Sequence, residues 1–269
     1  MHVEMAGQVA LITGGSDGVG SGCARVFVEA GATVVINSRT GERGGPLAAQ
    51  LSAAGPGACE FVACDVSDTA ALRNLIEQVV GRHGRLDTLV NNAGQNFGYK
   101  PIDELEVDDF VRLLGINLVP YFAAAKFALP HLRATRGSIV NIGSVVAETG
   151  FFWNPDYVAT KGGISALTRA LAIDEAAAGV RVNAVLPGNV MTRRRASLEA
   201  EAVDGGALHD FMESWQWLGG SGQPDDVGYA ALFLASRFAG FITGATLTVS
   251  GGIELGMGPK RPYGELFRA

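Results

Sequence analysis

Short apolar runs alternate with longer stretches of helical period from one end of the chain to the other. The runs VALIT (9–13), TVVIN (33–37), EFVAC (60–64), TLVNN (88–92), SIVNI (138–142), VRVNAVL (180–186) and TLTVS (246–250) read as seven β-strands. Most are apolar at successive positions rather than at every second one, which is the pattern of parallel strands covered on both faces. Helical patterns at 18–30, 43–54, 69–83, 107–133, 156–178 and 224–236 lie between them, each long enough for a right-handed crossover. The alternation predicts an α/β fold: one doubly wound, parallel, seven-stranded sheet with helices on both faces, a single domain over residues 1–269. The region 193–222, rich in Arg, Glu and Gly and holding Trp215 and Trp217, breaks the rhythm. It is expected to be an insertion that covers the ligand.

Composition narrows the class. Glycine makes up 37 of 269 residues, against about 7% in an average chain. There is no three-residue period, and 48% of the chain is hydrophobic, so neither collagen nor disorder explains it and backbone geometry must. The net charge is −6 and no basic run occurs, which argues against nucleic acid as a partner. The longest uncharged stretch, 238–253, has 16 residues and four glycines, too short and broken to span a bilayer, so no membrane partner is expected. Charged residues are only 18%, which leaves little charge to cover a monomer and predicts a homo-oligomer. No basic n-region precedes an apolar run, and Cys23, Cys59 and Cys64 lack CxxC spacing. A cytoplasmic protein with buried thiols and no metal is expected.

The glycines concentrate where the first strand meets the first helix, at Thr13-Gly14-Gly15-Ser16-Asp17-Gly18-Val19-Gly20. Such a loop turns tightly and brings backbone N–H groups and a helix N-terminus to a pyrophosphate, the Rossmann-type arrangement for a dinucleotide. The spacing is TGxxxGxG. With Asp65-Val66 after the third strand, Asn91-Asn92-Ala93-Gly94 after the fourth, Tyr157-Val158-Ala159-Thr160-Lys161, and Pro187-Gly188 after the sixth, it resembles the short-chain dehydrogenase/reductase family over residues 7–258. Within that family, the segments at 157–162, 187–189 and 250–256 look most like the type 14 17β-hydroxysteroid dehydrogenases.

The resemblance implies a nicotinamide cofactor held by Gly14, Ser16, Asp17, Gly18, Val19 and Gly20 in the loop. It adds Asp65 and Val66 at the adenine, Asn92, Ala93 and Gly94 near the ribose, and Pro187, Gly188, Val190 and Thr192 near the nicotinamide. Asn91 is expected to brace a neighbouring strand. At the end of the second strand stand Asn37-Ser38-Arg39, where NAD-preferring members carry a carboxylate. Ser38 removes repulsion toward a 2′-phosphate and Arg39 can pair with it. NADP(H) is favoured, with NAD(H) possible, because Asp17 sits where NADP-specific relatives carry a basic residue.

Tyr157 and Lys161 stand four apart in a helical stretch, so they share a face with Cβ atoms about 6 Å apart. Ser144 falls just beyond the fifth strand, and with Asn117 the set matches the family's catalytic Asn-Ser-Tyr-Lys tetrad in type and order. Bringing a phenol from pKa near 10 to neutrality takes roughly 4 kcal/mol. An ammonium at about 4 Å supplies that much at an effective dielectric of about 20, so Lys161 is expected to activate Tyr157 as general acid/base while Ser144 holds the substrate oxygen. Lys161 should also hold the ribose hydroxyls. Pro120 denies the carbonyl of Ile116 its helical donor and is expected to kink the helix beside Asn117.

Gln95, Asn96, Ser144, Phe151, Trp153, Asn154 and Trp215 are the candidate substrate residues. Their aromatic content suits a hydrophobic or cyclic ketone or secondary alcohol, such as a steroid, an aromatic or a polyketide-like ring. The alternatives are a sugar or polyol dehydrogenase, a packing role for the aromatics, and a non-catalytic dinucleotide-binding regulator. Arg193-Arg194-Arg195 either clamps a carboxylate or forms a solvated helix start. Relatives of this kind are mostly tetramers, and the tail 255–269 is a candidate to reach a neighbour's site.

Overall fold

The computed structural model describes residues 3–256. The expectation that the tail enters a neighbouring site falls, from residue 257 on, outside the described residues. Seven strands form one sheet: β1 (Val9–Ile12), β2 (Thr33–Ser38), β3 (Ala58–Ala63), β4 (Thr88–Asn91), β5 (Ser138–Ile142), β6 (Arg181–Pro187) and β7 (Thr246–Val249). All are parallel, in the order β3-β2-β1-β4-β5-β6-β7. The order reverses between β1 and β4, the switch point at which open α/β sheets bind ligands.

Ten α-helices accompany the strands among the described residues: α1 (Gly18–Glu29), α2 (Gly41–Ala54), α3 (Thr69–His83), α4 (Val107–Asn117), α5 (Val119–Thr135), α6 (Val146–Thr149), α7 (Pro155–Glu175), α8 (Arg193–Glu201), α9 (Gly205–Glu213) and α10 (Pro224–Ala235). The sheet separates two apolar cores. In β1, Ala10 and Ile12 face Phe27, Val227 and Leu234 of α1 and α10, while Val9 and Leu11 face Leu72, Ile76, Ala128 and Leu132 of α3 and α5. That is why the strand is apolar at every position: side chains alternate between faces, and both faces are covered. Helices α1 and α10 approach closely because residue 22 is glycine; a Cβ there would lie 2.3 Å from the carbonyl carbon of Pro224.

The long helix expected over 107–133 is two helices. It breaks at Leu118, and the N–H of Tyr121 turns to the carbonyl of Leu118. Pro120 is the cause, since it leaves the carbonyl of Ile116 without a helical donor. By length and mean hydropathy alone, Val107–Thr135 is apolar enough to cross a membrane; here it is interrupted, and Tyr121, Ala124, Ala128 and Leu132 are buried in the core. The insertion folds as α8 and α9. Cys23, Cys59 and Cys64 are free and buried, and burial pushes the Cys23 and Cys59 thiols up to about 12.

Candidate active site

The glycine loop is held by side chains from neighbouring strands. Thr13 Oγ1 accepts from the N–H groups of Asn92 (2.9 Å) and Ala93 (3.2 Å), and Asn92 Nδ2 donates to the carbonyls of Thr13 (2.9 Å) and Gly14 (3.1 Å). Asn37 Oδ1, from β2, accepts the N–H of Gly14 at 3.3 Å. Gly14 has φ +65°, and a Cβ there would stand 2.9 Å from Ala93 Cα. Gly20 is packed just as tightly, its Cβ position 2.4 Å from the carbonyl oxygen of Gly14. The loop glycines therefore let the chain close on itself, and that closure presents the N-terminus of α1 to the groove.

A groove of about 980 Å³ runs from this loop to Tyr157 and Lys161. Ser16, Asp17, Val19, Ser38, Arg39, Asn92, Gly94, Pro187, Gly188, Val190 and Thr192 line it, and Gly14, Gly18, Val66 and Ala93 line its extension of about 350 Å³. Two expected cofactor residues stand back from it. Gly20 lies under the loop, and Asp65 is exposed with Oδ1 taken by Ser67 Oγ (2.7 Å) and N–H (3.0 Å). Those hydrogen bonds hold the Asp65 carboxyl below the usual range. Asn92 reaches the groove wall, but its amide hydrogens are engaged by the loop.

Asp17 caps α1, accepting from the N–H of Gly18 at 2.8 Å. It also pairs with Arg43 (2.9 Å) and Arg193 (3.1 Å). Its charge is thus offset by two arginines distant in sequence, and Arg39 lines the same end of the groove. The dimensions, the turn at Gly14 and the basic rim fit a dinucleotide.

At the other end, β5 delivers Ser144 and α7 delivers Tyr157 and Lys161 one turn apart. Lys161 is 5% exposed. Its Nζ donates to the carbonyl of Ile142 at 3.1 Å and lies 5.6 Å from the centre of the Tyr157 ring. Tyr121 donates to the same carbonyl at 3.0 Å. Burial pushes the Tyr157 phenol up to about 12, with Tyr99 adding to the rise and the hydrogen bond to Ser144 opposing it. Burial also draws the Lys161 ammonium down to about 8. Desolvation disfavours the charged form of both groups, so burial opposes the activation of Tyr157 that is expected of Lys161, and the ammonium is hydrogen-bonded to Ile142.

Asn117 is fully buried. Its Oδ1 accepts the N–H of Gln95 (2.8 Å), and its Nδ2 donates to the carbonyl of Gln95 (2.8 Å) and to Thr160 Oγ1 (3.2 Å). The amide is satisfied by protein groups, so Asn117 braces the segment after β4 against α7. Asn91 braces as expected, its Nδ2 donating to Asn141 Oδ1 at 3.0 Å.

Beside Tyr157 opens a second compartment of about 510 Å³, lined by Asn96, Ser144, Phe151, Asn154 and Trp215 from the expected set. Phe151 stacks on Phe152 at 4.5 Å and meets Trp215 edge-on at 5.2 Å. Gln95 lines the cofactor groove instead. Trp153 does not belong to the compartment: it is 60% exposed. Its φ of +51° reverses the chain ahead of α7, and its carbonyl accepts the N–H of Lys100 at 2.7 Å. Sequence reasoning missed Tyr99, Glu148, Met212 and Glu254, which also line the compartment; no motif marks them. Arg195 also departs from expectation, being buried at 4% exposure.

A dinucleotide groove ending at a half-buried tyrosine, a buried lysine one turn on and a serine defines a nicotinamide-dependent oxidoreductase. A family profile described as "Enoyl-(Acyl carrier protein) reductase" matches residues 14–254. The chain belongs to the short-chain dehydrogenase/reductase family of NAD(P)-dependent oxidoreductases. It is 43% identical over 261 residues to the L-fucose dehydrogenase of Oryctolagus cuniculus, covering 97% of this chain and 90% of that one. It is 43% identical over 260 residues to the L-fucose dehydrogenase of Bos taurus, covering 97% and 94%. The structure of a short-chain type dehydrogenase/reductase from Mycobacterium ulcerans superposes with a TM-score of 0.87 at 29% identity, covering 95% and 93%. These comparisons support the family and not the hydroxysteroid subgroup, because the relatives at 43% identity are named for a sugar.

Proposed function

We propose that this protein oxidises the hemiacetal hydroxyl of a neutral pyranose, L-fucose or a close stereochemical relative, with NADP(H) as cofactor. The observation that carries the reading is the mixed lining of the compartment beside Tyr157. Phe151 and Trp215 offer apolar ring faces, while Asn96, Glu148, Asn154, Asn189 and Glu254 surround them with polar groups. A polyhydroxylated ring needs both, since its C–H faces stack and each buried hydroxyl requires a partner. A steroid or polyketide ring, the first expectation from the aromatics, would leave Asn154 Oδ1 and Trp215 Nε1, buried lining atoms with no protein partner, unpaired. An acyl-carrier substrate brings phosphate, and the lining of this compartment includes two carboxylates and neither Lys nor Arg. The names of the relatives at 43% identity support the sugar reading.

In oxidation, the Tyr157 oxygen takes the hydroxyl proton and Ser144 Oγ donates a hydrogen bond to the substrate oxygen as charge develops. The Lys161 ammonium, with hydrogens to spare beyond the Ile142 carbonyl, stabilises the phenolate and reaches toward the ribose. A bound nicotinamide supplies the acceptor for the hydride leaving the sugar carbon. Asn117 keeps Gln95 and α7 in register around these groups. NADP(H) is favoured over NAD(H) by Ser38, Arg39 and Arg43 at the end of the groove and by the offset of Asp17. The test is a screen of aldoses, diols and ketosteroids followed at the nicotinamide absorbance with both cofactors. Turnover of L-fucose above the other classes supports the reading, and preferential turnover of a ketosteroid refutes it.

We also infer a homo-oligomer, a tetramer. The support is the exposure of Val107, Val111, Val119 and Phe122 along α4–α5 and of Ile173 on α7, apolar side chains that water alone covers poorly.

A further inference from the structure

The insertion buries a charge. Arg195, in the first turn of α8, has its whole guanidinium engaged: Nε donates to Glu199 Oε1 at 2.7 Å, Nη2 to Glu213 Oε1 at 2.8 Å, and Nη1 to Ser221 Oγ. Its backbone N–H is accepted by Thr192 Oγ1 at 3.3 Å. Ser221 Oγ donates onward to Glu213, and His209 Nδ1 stands 3.3 Å from Glu199. The side chains of Glu199 and Glu213 are only 18% and 21% exposed. A desolvated guanidinium is tolerated only when surrounded in this way.

The partners belong to three stretches of chain, and each borders ligand space. Helix α8 lines the cofactor groove through Arg194 and Leu198. The end of α9 and the turn after it present Met212 and Trp215 to the compartment beside Tyr157. Ser221 adjoins Gly222, whose N–H donates to the carbonyl of Asn189 at 3.0 Å and whose carbonyl accepts from Met191 at 2.8 Å. Asn189 closes the circuit, its Nδ2 donating to the carbonyl of Met212 at 3.1 Å. Arg195 is among the residues that line the cofactor groove, and it is not among those that line the compartment beside Tyr157.

We propose that Arg195 is a positioning residue for the substrate: by holding Glu213 and Ser221 to α8, it sets Met212 and Trp215 as one wall of the compartment. Substrate affinity then depends on a side chain that never meets the substrate. The proposal rests on the reading of that compartment as the sugar site. A lysine could not replace Arg195, because one ammonium cannot meet Glu199, Glu213 and Ser221 from three fixed directions.

The test is Arg195→Lys in the full-length protein, with NADP⁺ saturating and L-fucose as probe. The KM for L-fucose is expected to rise about tenfold or more while kcat, at a concentration of NADP⁺ that saturates the variant, stays within about threefold, since a wall displaced by a fraction of an ångström weakens binding before it disturbs the proton relay. Amide exchange across 205–216 should accelerate in the same variant. A second variant, Arg195→Met with Glu213→Gln, reduces the unpaired charge; it should regain thermal stability and keep the high KM. An unchanged KM in Arg195→Lys, or a fall in kcat as large as the rise in KM, overturns the proposal. If the unsubstituted protein does not turn over L-fucose, the sugar reading fails. The exchange measurement then decides alone: faster exchange confined to 205–216 supports a positioning role, and unaltered exchange there overturns it.

Discussion

Lys161 Nζ lies 3.1 Å from the carbonyl oxygen of Ile142, the last residue of β5. The contact ties the base of the catalytic helix to the strand that carries Ser144, and it places a buried ammonium where the cofactor groove meets the substrate compartment. Burial lowers this lysine to about 8. The folded protein therefore releases the proton more readily than the unfolded chain, which binds more protons between about pH 8 and the ordinary lysine pKa near 10.4, so stability rises with pH across that window. Lys161→Met should accordingly melt higher than the unsubstituted protein near pH 7, by on the order of 3 kcal/mol in unfolding free energy before the lost Ile142 contact is subtracted. The gap should close as pH rises toward about 10. Thermal melts of both proteins across that range check it, and a gap independent of pH would show that Lys161 is not desolvated as the structure has it.

Tyr157→Phe removes the hydroxyl and little volume. Turnover should fall by about 100- to 10 000-fold, the usual contribution of a positioned acid/base group. NADPH binding, followed by fluorescence, should be retained. Turnover within a few-fold of the unsubstituted protein would assign the proton to another group.

Ser38→Asp with Arg39→Ala places a carboxylate where a 2′-phosphate is expected and removes a partner for it. The ratio of kcat/KM with NADP⁺ to that with NAD⁺ should drop by about tenfold or more, in line with one charge-assisted pair lost and one repulsion gained. An unchanged ratio would move the source of cofactor preference to Arg43 and Arg193.

Asn117→Ala leaves the N–H and carbonyl of Gln95 without their partners in a buried setting. Each orphaned group costs about 1–3 kcal/mol, so the melting temperature should fall by roughly 5–15 °C. A melt within a degree of the parent would mean that water replaces the amide without penalty.

Sedimentation at micromolar concentration should show a species larger than the 28.0 kDa chain. Phe122→Glu, a change at a side chain 54% exposed, should shift the distribution toward smaller species without lowering helicity, since a charge at a covered apolar contact opposes association. A monomer in both proteins refutes the assembly.

The sheet was legible because its signal is local. Strands buried on both faces are apolar at consecutive positions, and the helices between them declare a 3.6-residue period; both can be counted along the chain. The candidate tetrad was named for a different reason, its match in type and order to a family motif, and the structure brings Ser144, Tyr157 and Lys161 of that set to one groove. The break at Leu118 followed from Pro120, which has no N–H whatever the tertiary context.

The residues whose setting the sequence did not show depend on partners far away in the chain. Asp17 stands alone as a charge in the loop until Arg43 and Arg193 are brought to it. Arg195 looks like surface charge until Glu213 and Ser221 enclose it. Trp153 looks like a pocket aromatic until its positive φ turns it outward, while Glu148 and Glu254, unmarked by any motif, line the compartment beside Tyr157.

The sequence by itself therefore determined the architecture and the cofactor class, and through its resemblance to a family it named candidates for the reacting groups, because periodicity, glycine turns and motif spacing are properties of the chain. Tertiary structure alone decided which charges are offset, which aromatics are covered and how strongly burial opposes ionisation of Tyr157 and Lys161. Those quantities depend on distance and on solvent exclusion, and neither exists until the elements pack.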